Sequence, residues 1–225
     1  MQKYAVIVAG GSGSRMQTDV PKQFISVGGL PVLMHTLNRF AQSVPNLQII
    51  LVLPQAHFDT WAQLCQQYKF TTPHQLIEGG NTRFASVKNG LAAIPNNEGL
   101  VAIHDGVRPF VATRAIQESF AVAQAKGNAI VAVNLKDSIR YVEENQPSKA
   151  MERSKFMLIQ TPQTFQVAQI KAAYNVPYND TFTDDASVAE AFGQQITLIE
   201  GNYENIKITT PEDLLVASVF VQQDL

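Results

Sequence analysis

The sequence predicts an α/β fold built on a parallel, doubly wound sheet, with a β-hairpin arm projecting from it. Three observations lead there. Apolar runs of strand length alternate with stretches of helical period through most of the chain, the pattern of parallel strands with helices packed across them. Several runs are continuously apolar, as in Ile49-Ile-Leu-Val-Leu53, which fits strands covered on both faces. Between Asp137 and Ile159 the rhythm breaks into two short alternating runs around a polar tip that contains Pro147.

In chain order, strand Ala5–Val8 runs into the glycine bend Ala9-Gly-Gly-Ser-Gly-Ser-Arg-Met16, and a helix over Pro31–Gln42 follows. Strand Gln48–Leu53 leads to helix Phe58–Tyr68, where the single cysteine, Cys65, is spaced for the inner face. A lone cysteine rules out an internal disulfide or a cysteine-rich zinc site, and this one reads as core packing rather than a nucleophile. Strand His74–Glu78 ends in Gly79-Gly-Asn-Thr82, with Thr82 placed to cap helix Arg83–Ile94. Strand Val101–His104 delivers Asp105 at its end, and helix Arg114–Lys126 and strand Ala129–Val133 come next.

The arm then takes residues 137–159, with limbs Ser138–Val142 and Lys155–Ile159. A projecting hairpin with apolar positions needs a cover, so the chain is expected to form a homodimer through it. The alternative is an arm folded back on its own domain. Helices Val167–Tyr174 and Asp185–Phe192, strands Ile196–Glu200 and Asn205–Ile208, and helix Pro211–Val221 complete the order. Thr210 followed by Pro211 is a helix start, with Thr as N-cap and Pro at the first helical position. No internal repeat or long linker divides the chain, so residues 1–225 are read as one domain carrying an arm.

Composition narrows the function classes. With 225 residues, 45% hydrophobic and 16% charged, the chain can bury a substantial core. A net charge of −2 argues against a nucleic-acid surface. Phosphate ligands must then be held by local arginines and lysines rather than by a global positive field. No basic-then-apolar leader precedes the first strand, and no apolar run reaches the ~18 residues of a membrane span, so a cytoplasmic location without membrane contact is expected. The four histidines show no metal-ligand spacing. No Gly-x-Ser-x-Gly elbow supports covalent serine catalysis.

In doubly wound sheets ligands bind beyond the carboxyl ends of the strands, and the chemistry-bearing motifs all fall at such ends. Glycines after the first strand let backbone N–H groups approach a phosphate, while Arg15 and Lys22 supply fixed cations over it. The bend is neither a P-loop, lacking Gly-Lys-Ser/Thr, nor a dinucleotide fingerprint, since Met16 stands at the last glycine position. At the second glycine turn, backbone groups of Gly80 and Asn81 with the Ser86 hydroxyl can read a base edge. Capping and a tight turn are the structural alternative, and Arg83 is read as stabilising only that loop. Asp105 is a ligand for a divalent ion or an acceptor for a substrate hydroxyl. Arg108 pairs with Asp105 or with a substrate phosphate. Lys207, a charge within an apolar strand, calls for an anionic ligand. Thr161 and Thr183 lie in Thr-rich turns; Thr183 is open between ligand contact and helix capping.

Seven blocks in order, AGGSGSRM, PKQF, EGGNTRFASV, HDGVRPF, TPQTF, TDDAS and NIKITTPEDL, make the chain resemble the cytidylyltransferases of the non-mevalonate isoprenoid pathway. These join 2-C-methyl-D-erythritol 4-phosphate and CTP into the CDP-linked alcohol and pyrophosphate. The resemblance implies a Rossmann-like nucleotidyltransferase core, an arm that interlocks two subunits, and Mg²⁺ or another divalent cation as cofactor. It assigns Arg15 and Lys22 to the triphosphate and transition state, and Gly80, Asn81 and Ser86 to cytidine, with backbone from Ala9, Gly10 and Gly11. Asp105, Thr183 and Lys207 would hold the methylerythritol phosphate and metal, and Arg153 would reach the substrate phosphate, in the neighbouring subunit. Two departures stand out: Asn81 where relatives often carry Asp, and Gly106-Val107 where they carry Ala-Ala or Ala-Val. A ribitol-5-phosphate cytidylyltransferase is the nearest rival reading. An NAD-dependent dehydrogenase and a non-catalytic nucleotide-binding dimer are more distant ones.

Overall fold

The computed structural model of the chain describes residues 1–10 and 20–222. Its elements in order are β1 (Lys3–Val8), β2 (Ser26–Val27), β3 (Leu30–Pro31), α1 (Val32–Ser43), β4 (Gln48–Leu53) and α2 (Phe58–Gln67). Then come β5 (Gln75–Glu78), α3 (Arg83–Ala92), β6 (Leu100–Asp105), α4 (Thr113–Lys126), β7 (Asn128–Asn134), β8 (Arg140–Tyr141) and β9 (Lys149–Ala150). β10 (Met157–Gln166), α5 (Val167–Ala173), α6 (Asp185–Ala191), β11 (Leu198–Glu200) and α7 (Pro211–Gln222) complete the chain.

One seven-stranded sheet carries the fold, in the order β11-β7-β10-β6-β1-β4-β5. β1 pairs parallel with β4 and β6, β4 with β5, and β7 with β11. β10 runs antiparallel between β6 and β7. The sheet is therefore mostly parallel, as the alternation of elements predicts.

The continuously apolar strands follow from two cores. Side chains alternate across a strand, so in β1 Ala5 and Ile7 join one cluster with Leu37, Phe40, Leu51, Trp61 and Phe120. Tyr4, Val6 and Val8 join the opposite cluster with Ile50, Val52, Phe84, Phe165 and Tyr174. α1, α2 and α4 cover the first face, while α3, α5 and α6 cover the second. Cys65 packs, partly buried, at the edge of the first core.

Three sequence expectations need correction, and one open alternative falls away. Met157–Ile159 is not a limb of the arm but the start of β10, a ten-residue strand whose later residues Thr161 to Phe165 are buried. Pro162 sits where the β7–β10 ladder shifts register between Ile159 and Gln163, a position that tolerates a residue without an N–H. The arm is the smaller β8–β9 hairpin, paired Arg140 to Ala150 and Tyr141 to Lys149. Asn205–Ile208 is no strand but an extended segment tied to the body, with Ile208 N–H donating to Val107 O at 2.9 Å. Finally, α6 is capped by Asp184 rather than Thr183: its carboxylate accepts from Ser187 N–H in a capping box. Thr82 does cap α3, accepting from Ala85 N–H at 3.0 Å.

Candidate active site

The carboxyl ends of β1 and β6 and the turn that follows β5 open onto one cleft, as the parallel order requires. It has two compartments. The first, of about 410 Å³, is lined by Val8, Ala9, Gly10, Lys22, Gln23, Gly80, Asn81, Thr82, Arg83, Ser86, Asp105, Val107 and Lys207. The second, of about 260 Å³, is lined by Arg83, Asp105, Arg108, Ile159, Gln160, Thr161, Gln163, Thr183, Asp184 and Lys207. Arg83, Asp105 and Lys207 belong to both and form the wall between them.

Asp105, the last residue of β6, is the electrostatic centre of that wall. Lys207 Nζ lies 3.0 Å and Arg108 Nε 3.3 Å from its Oδ2, and Arg83 Nε lies 3.5 Å from its Oδ1. Burial alone would push its carboxyl up, but Arg83, Lys207 and Arg108 outweigh that and hold it well below the usual carboxylate range. It is an anion throughout the physiological range. Around the two compartments stand the cations Lys22, Arg83, Arg108 and Lys207, with the carboxylates of Asp105 and Asp184 among them. A chain of net charge −2 thus concentrates positive charge where its strands end.

A buried relay fixes the Asp105 backbone. Asp105 N–H donates to Thr161 Oγ1 at 3.1 Å, and that hydroxyl lies 2.9 Å from His104 Nδ1. His104 Nε2 lies 3.0 Å from Arg108 O, a group that can only accept. His104 is therefore the neutral Nε2–H tautomer, and Thr161 donates to its Nδ1. Complete burial lowers the His104 pKa to about 4. Thr161, expected at the substrate, spends its hydroxyl on this relay.

Gly80 and Ser86 are also committed to structure. Ser86 Oγ accepts from Gly80 N–H at 3.1 Å and donates to Thr82 O at 2.9 Å. The side chain is almost fully buried, so it shapes the turn and leaves backbone groups to face the compartment. Gly80 has no room for a larger residue, because a Cβ there would run into Ala85.

Of the other expected residues, Lys22 stands in a 3-10 turn, Lys22–Phe24, and reaches the first compartment. Ala9 and Gly10 line the same space, whereas Gly11 and Arg15 lie outside the described residues. Thr183 lines the second compartment. Arg108 holds Asn205 O at 2.8 Å as well as Asp105, which ties the Lys207 segment to the site. Arg153 is set apart: it belongs to the exposed turn Arg153–Lys155, donates to Lys136 O, and lines neither compartment of its own chain.

Sequence reasoning missed the weight of Arg83 and, with it, Asp185. Far from serving only its loop, Arg83 donates from Nη1 and Nη2 to the two Asp185 oxygens at 2.9 and 2.7 Å. One signal was present. A cation in the first turn of a helix opposes the macrodipole, so Arg83 at the start of α3 demands a carboxylate partner.

The profile of the 2-C-methyl-D-erythritol 4-phosphate cytidylyltransferase family matches residues 4–223. The chain belongs to this family. A cytidylyltransferase of that name from Porphyromonas gingivalis is 49% identical over 221 residues, covering 98% of each chain. One from Bacteroides thetaiotaomicron is 48% identical over 98% of this chain and 100% of its own. Among solved structures, the 4-diphosphocytidyl-2C-methyl-D-erythritol synthase of Anaerococcus prevotii superposes with a TM-score of 0.84 at 30% identity, covering 98% of this chain and 96% of its own. The Francisella tularensis cytidylyltransferase superposes at 0.80 with 29% identity, covering 100% of both chains. The enzyme is thus a nucleotidyltransferase with a Rossmann-like core, and its two compartments lie where such a sheet receives ligands.

Proposed function

We propose that the enzyme transfers the cytidylyl group of CTP to 2-C-methyl-D-erythritol 4-phosphate, releasing pyrophosphate and forming the CDP-linked alcohol. The observation that carries this reading is the shared wall: Lys207 and Asp105 stand between a glycine-lined compartment and a smaller polar one. Two substrates can meet only across that wall. CTP takes the first compartment, its base against the Gly80–Asn81 turn and its phosphates toward Gly10 and Lys22. The phosphorylated alcohol takes the second, between Thr183, Arg108 and the Gln160–Thr161 strand.

The acceptor phosphate is already largely dianionic at neutral pH, since its second pKa is about 6. It attacks the α-phosphorus in line, and pyrophosphate leaves. No general base is needed, and His104, the histidine nearest the wall in sequence, is sealed in its relay. The chain's own residues contribute position and charge. Lys207, half-exposed, faces both substrates across the wall and neutralises charge building on the transferred phosphoryl group. Lys22 and Arg15 serve the departing pyrophosphate end.

A resident metal ion finds little to bind. Among the described residues no three His, Cys, Asp or Glu converge on one point, and both Asp105 oxygens are occupied by cations. Asp105 therefore suits a substrate hydroxyl better than direct metal coordination. A divalent cation such as Mg²⁺ enters with CTP as part of the substrate and supplies charge neutralisation on its phosphates.

The arm supports a homodimer. Tyr141, Val142 and Met151 on it, and Phe156, Leu158 and Ile159 at its root, are exposed, apolar side chains that a second copy would cover. Arg153 in the same segment would then serve the partner's acceptor compartment. A cytoplasmic location accords with the metabolite substrates, and no helix among the described residues is long and apolar enough to cross a membrane.

The test is pyrophosphate release from CTP and magnesium with either methylerythritol phosphate or ribitol 5-phosphate as acceptor. Methylerythritol phosphate should be preferred by at least tenfold in kcat/KM. Equal or reversed preference would establish the ribitol reading, and CTP binding without turnover would leave a nucleotide-binding protein.

A further inference from the structure

Arg83 is held from behind by a residue that faces neither compartment. Asp185 is completely buried at the start of α6 and lines neither space. Its carboxylate takes both terminal nitrogens of the Arg83 guanidinium, at 2.9 and 2.7 Å, and the Tyr174 hydroxyl at 2.6 Å. Only the Nε edge of Arg83 is left to face Asp105, at 3.5 Å. Tyr174 is itself immobilised, stacked on Phe84 with ring centroids 4.6 Å apart.

This division of one guanidinium between two carboxylates has a consequence at the wall. A guanidinium fork matches a carboxylate edge to edge, and such bidentate pairs outcompete single contacts. If its fork were free, Arg83 would turn it onto Asp105, whose Oδ2 is also the partner of Lys207. By occupying the fork, Asp185 keeps Arg83 at a single weaker contact with Asp105. Lys207 thereby retains its place between the compartments.

We propose that Asp185 is a positioning residue for cytidylyl transfer, holding the Arg83 fork away from Asp105 so that the Asp105–Lys207 pair stays aligned between the two substrates. The proposal rests on the reaction assigned above and adds a residue to it that touches no substrate.

The experiment is a double-mutant cycle on kcat/KM for pyrophosphate release from CTP and methylerythritol phosphate, in the full-length enzyme. Arg83→Lys keeps the charge but cannot fork, so its single ammonium is no longer clamped by Asp185 and can move onto Asp105 beside Lys207, and Asp185→Asn keeps the shape but not the anion. Each should lower kcat/KM at least tenfold, and the double variant should fall no more than threefold below the weaker single one, because both remove one shared arrangement. Tyr174→Phe removes a hydrogen bond from the same carboxylate without freeing the fork. It should lower thermal stability yet keep kcat/KM within threefold of wild type, which separates positioning from mere destabilisation. If Asp185→Asn does not fold, Arg83→Lys and Tyr174→Phe decide. An Arg83→Lys enzyme within threefold of wild type, multiplicative losses in the double variant, or a Tyr174→Phe loss as large as that of Arg83→Lys overturns the positioning role alone. A wild-type enzyme that releases no pyrophosphate overturns the reaction and the positioning role together.

Discussion

Lys207 Nζ and Asp105 Oδ2 are 3.0 Å apart, and the pair joins an extended segment near the carboxyl terminus to the end of a central strand. The Lys207 side chain is 40% exposed while that of Asp105 is 10% exposed. One charge is therefore available to a ligand, and the other is held in place by two arginines behind it.

Replacing Lys207 with Ala should therefore separate catalysis from folding. Asp105 keeps Arg83 and Arg108, so thermal stability should change little. Turnover should fall at least tenfold, because a fixed cation at developing charge is worth factors of ten to a thousand. Lys22→Ala and Arg15→Ala should behave alike, with losses of about tenfold to a hundredfold. Steady-state pyrophosphate release beside a melting curve checks all three, and near-normal turnover would remove these cations from the mechanism.

His104 makes the fold sensitive to mild acid. The unfolded chain takes up its proton near the ordinary histidine value, whereas the folded one resists it down to about 4. The unfolded state thus binds more protons in between, and stability falls as pH drops from about 6.5 toward 4. The contribution to that fall is about 3 kcal/mol. Urea unfolding at pH 7 and pH 4 should show His104→Gln losing less on acidification than wild type by an amount of that order. An identical loss in both would show that His104 accepts a proton in the folded state.

Gly80→Ala tests the base-side turn. The new methyl would collide with Ala85, and the Ala85 carbonyl carbon lies only 3.1 Å from where it would sit. The turn must shift, and with it the Ser86 hydrogen bonds that shape it. We expect KM for CTP to rise roughly tenfold, the scale of one lost polar contact. KM for the acceptor should move much less; a larger change for the acceptor would place the base elsewhere.

Leu158→Glu tests the arm. Leu158 is 53% exposed at the root of the hairpin, and a charge there would oppose burial against a second copy. Sedimentation should show a dimer for wild type and a monomer for the variant; a monomeric wild type would leave the arm with another purpose. In the dimer, Arg153→Ala should raise KM for the phosphorylated alcohol more than KM for CTP.

The parallel core was legible because its strands carry local marks. Ile49-Ile-Leu-Val-Leu53 is apolar throughout since both of its faces are covered, and a strand-plus-glycine junction announces itself within ten residues. The ligand edge followed, because Lys22, Gly80, Asp105, Thr183 and Lys207 each sit in a turn or segment after a recognisable run, and all five border the cleft. β10 misled because its alternation passes through Thr161-Pro162, which reads locally as a turn. Only pairing with β6 and β7 on either side turns that interruption into a register shift within one strand.

From the chain of letters alone came the alternating architecture, the strand ends that carry the chemistry, and the blocks shared with a family of cytidylyltransferases. Those features depend on residues close together in sequence, where periodicity and turn chemistry act directly. Tertiary structure decided which charges meet: Arg83 with Asp185, 102 positions apart, and Asp105 with Lys207. Such pairings are set by which strands and helices lie side by side. Their energies come from burial and geometry that no local pattern records.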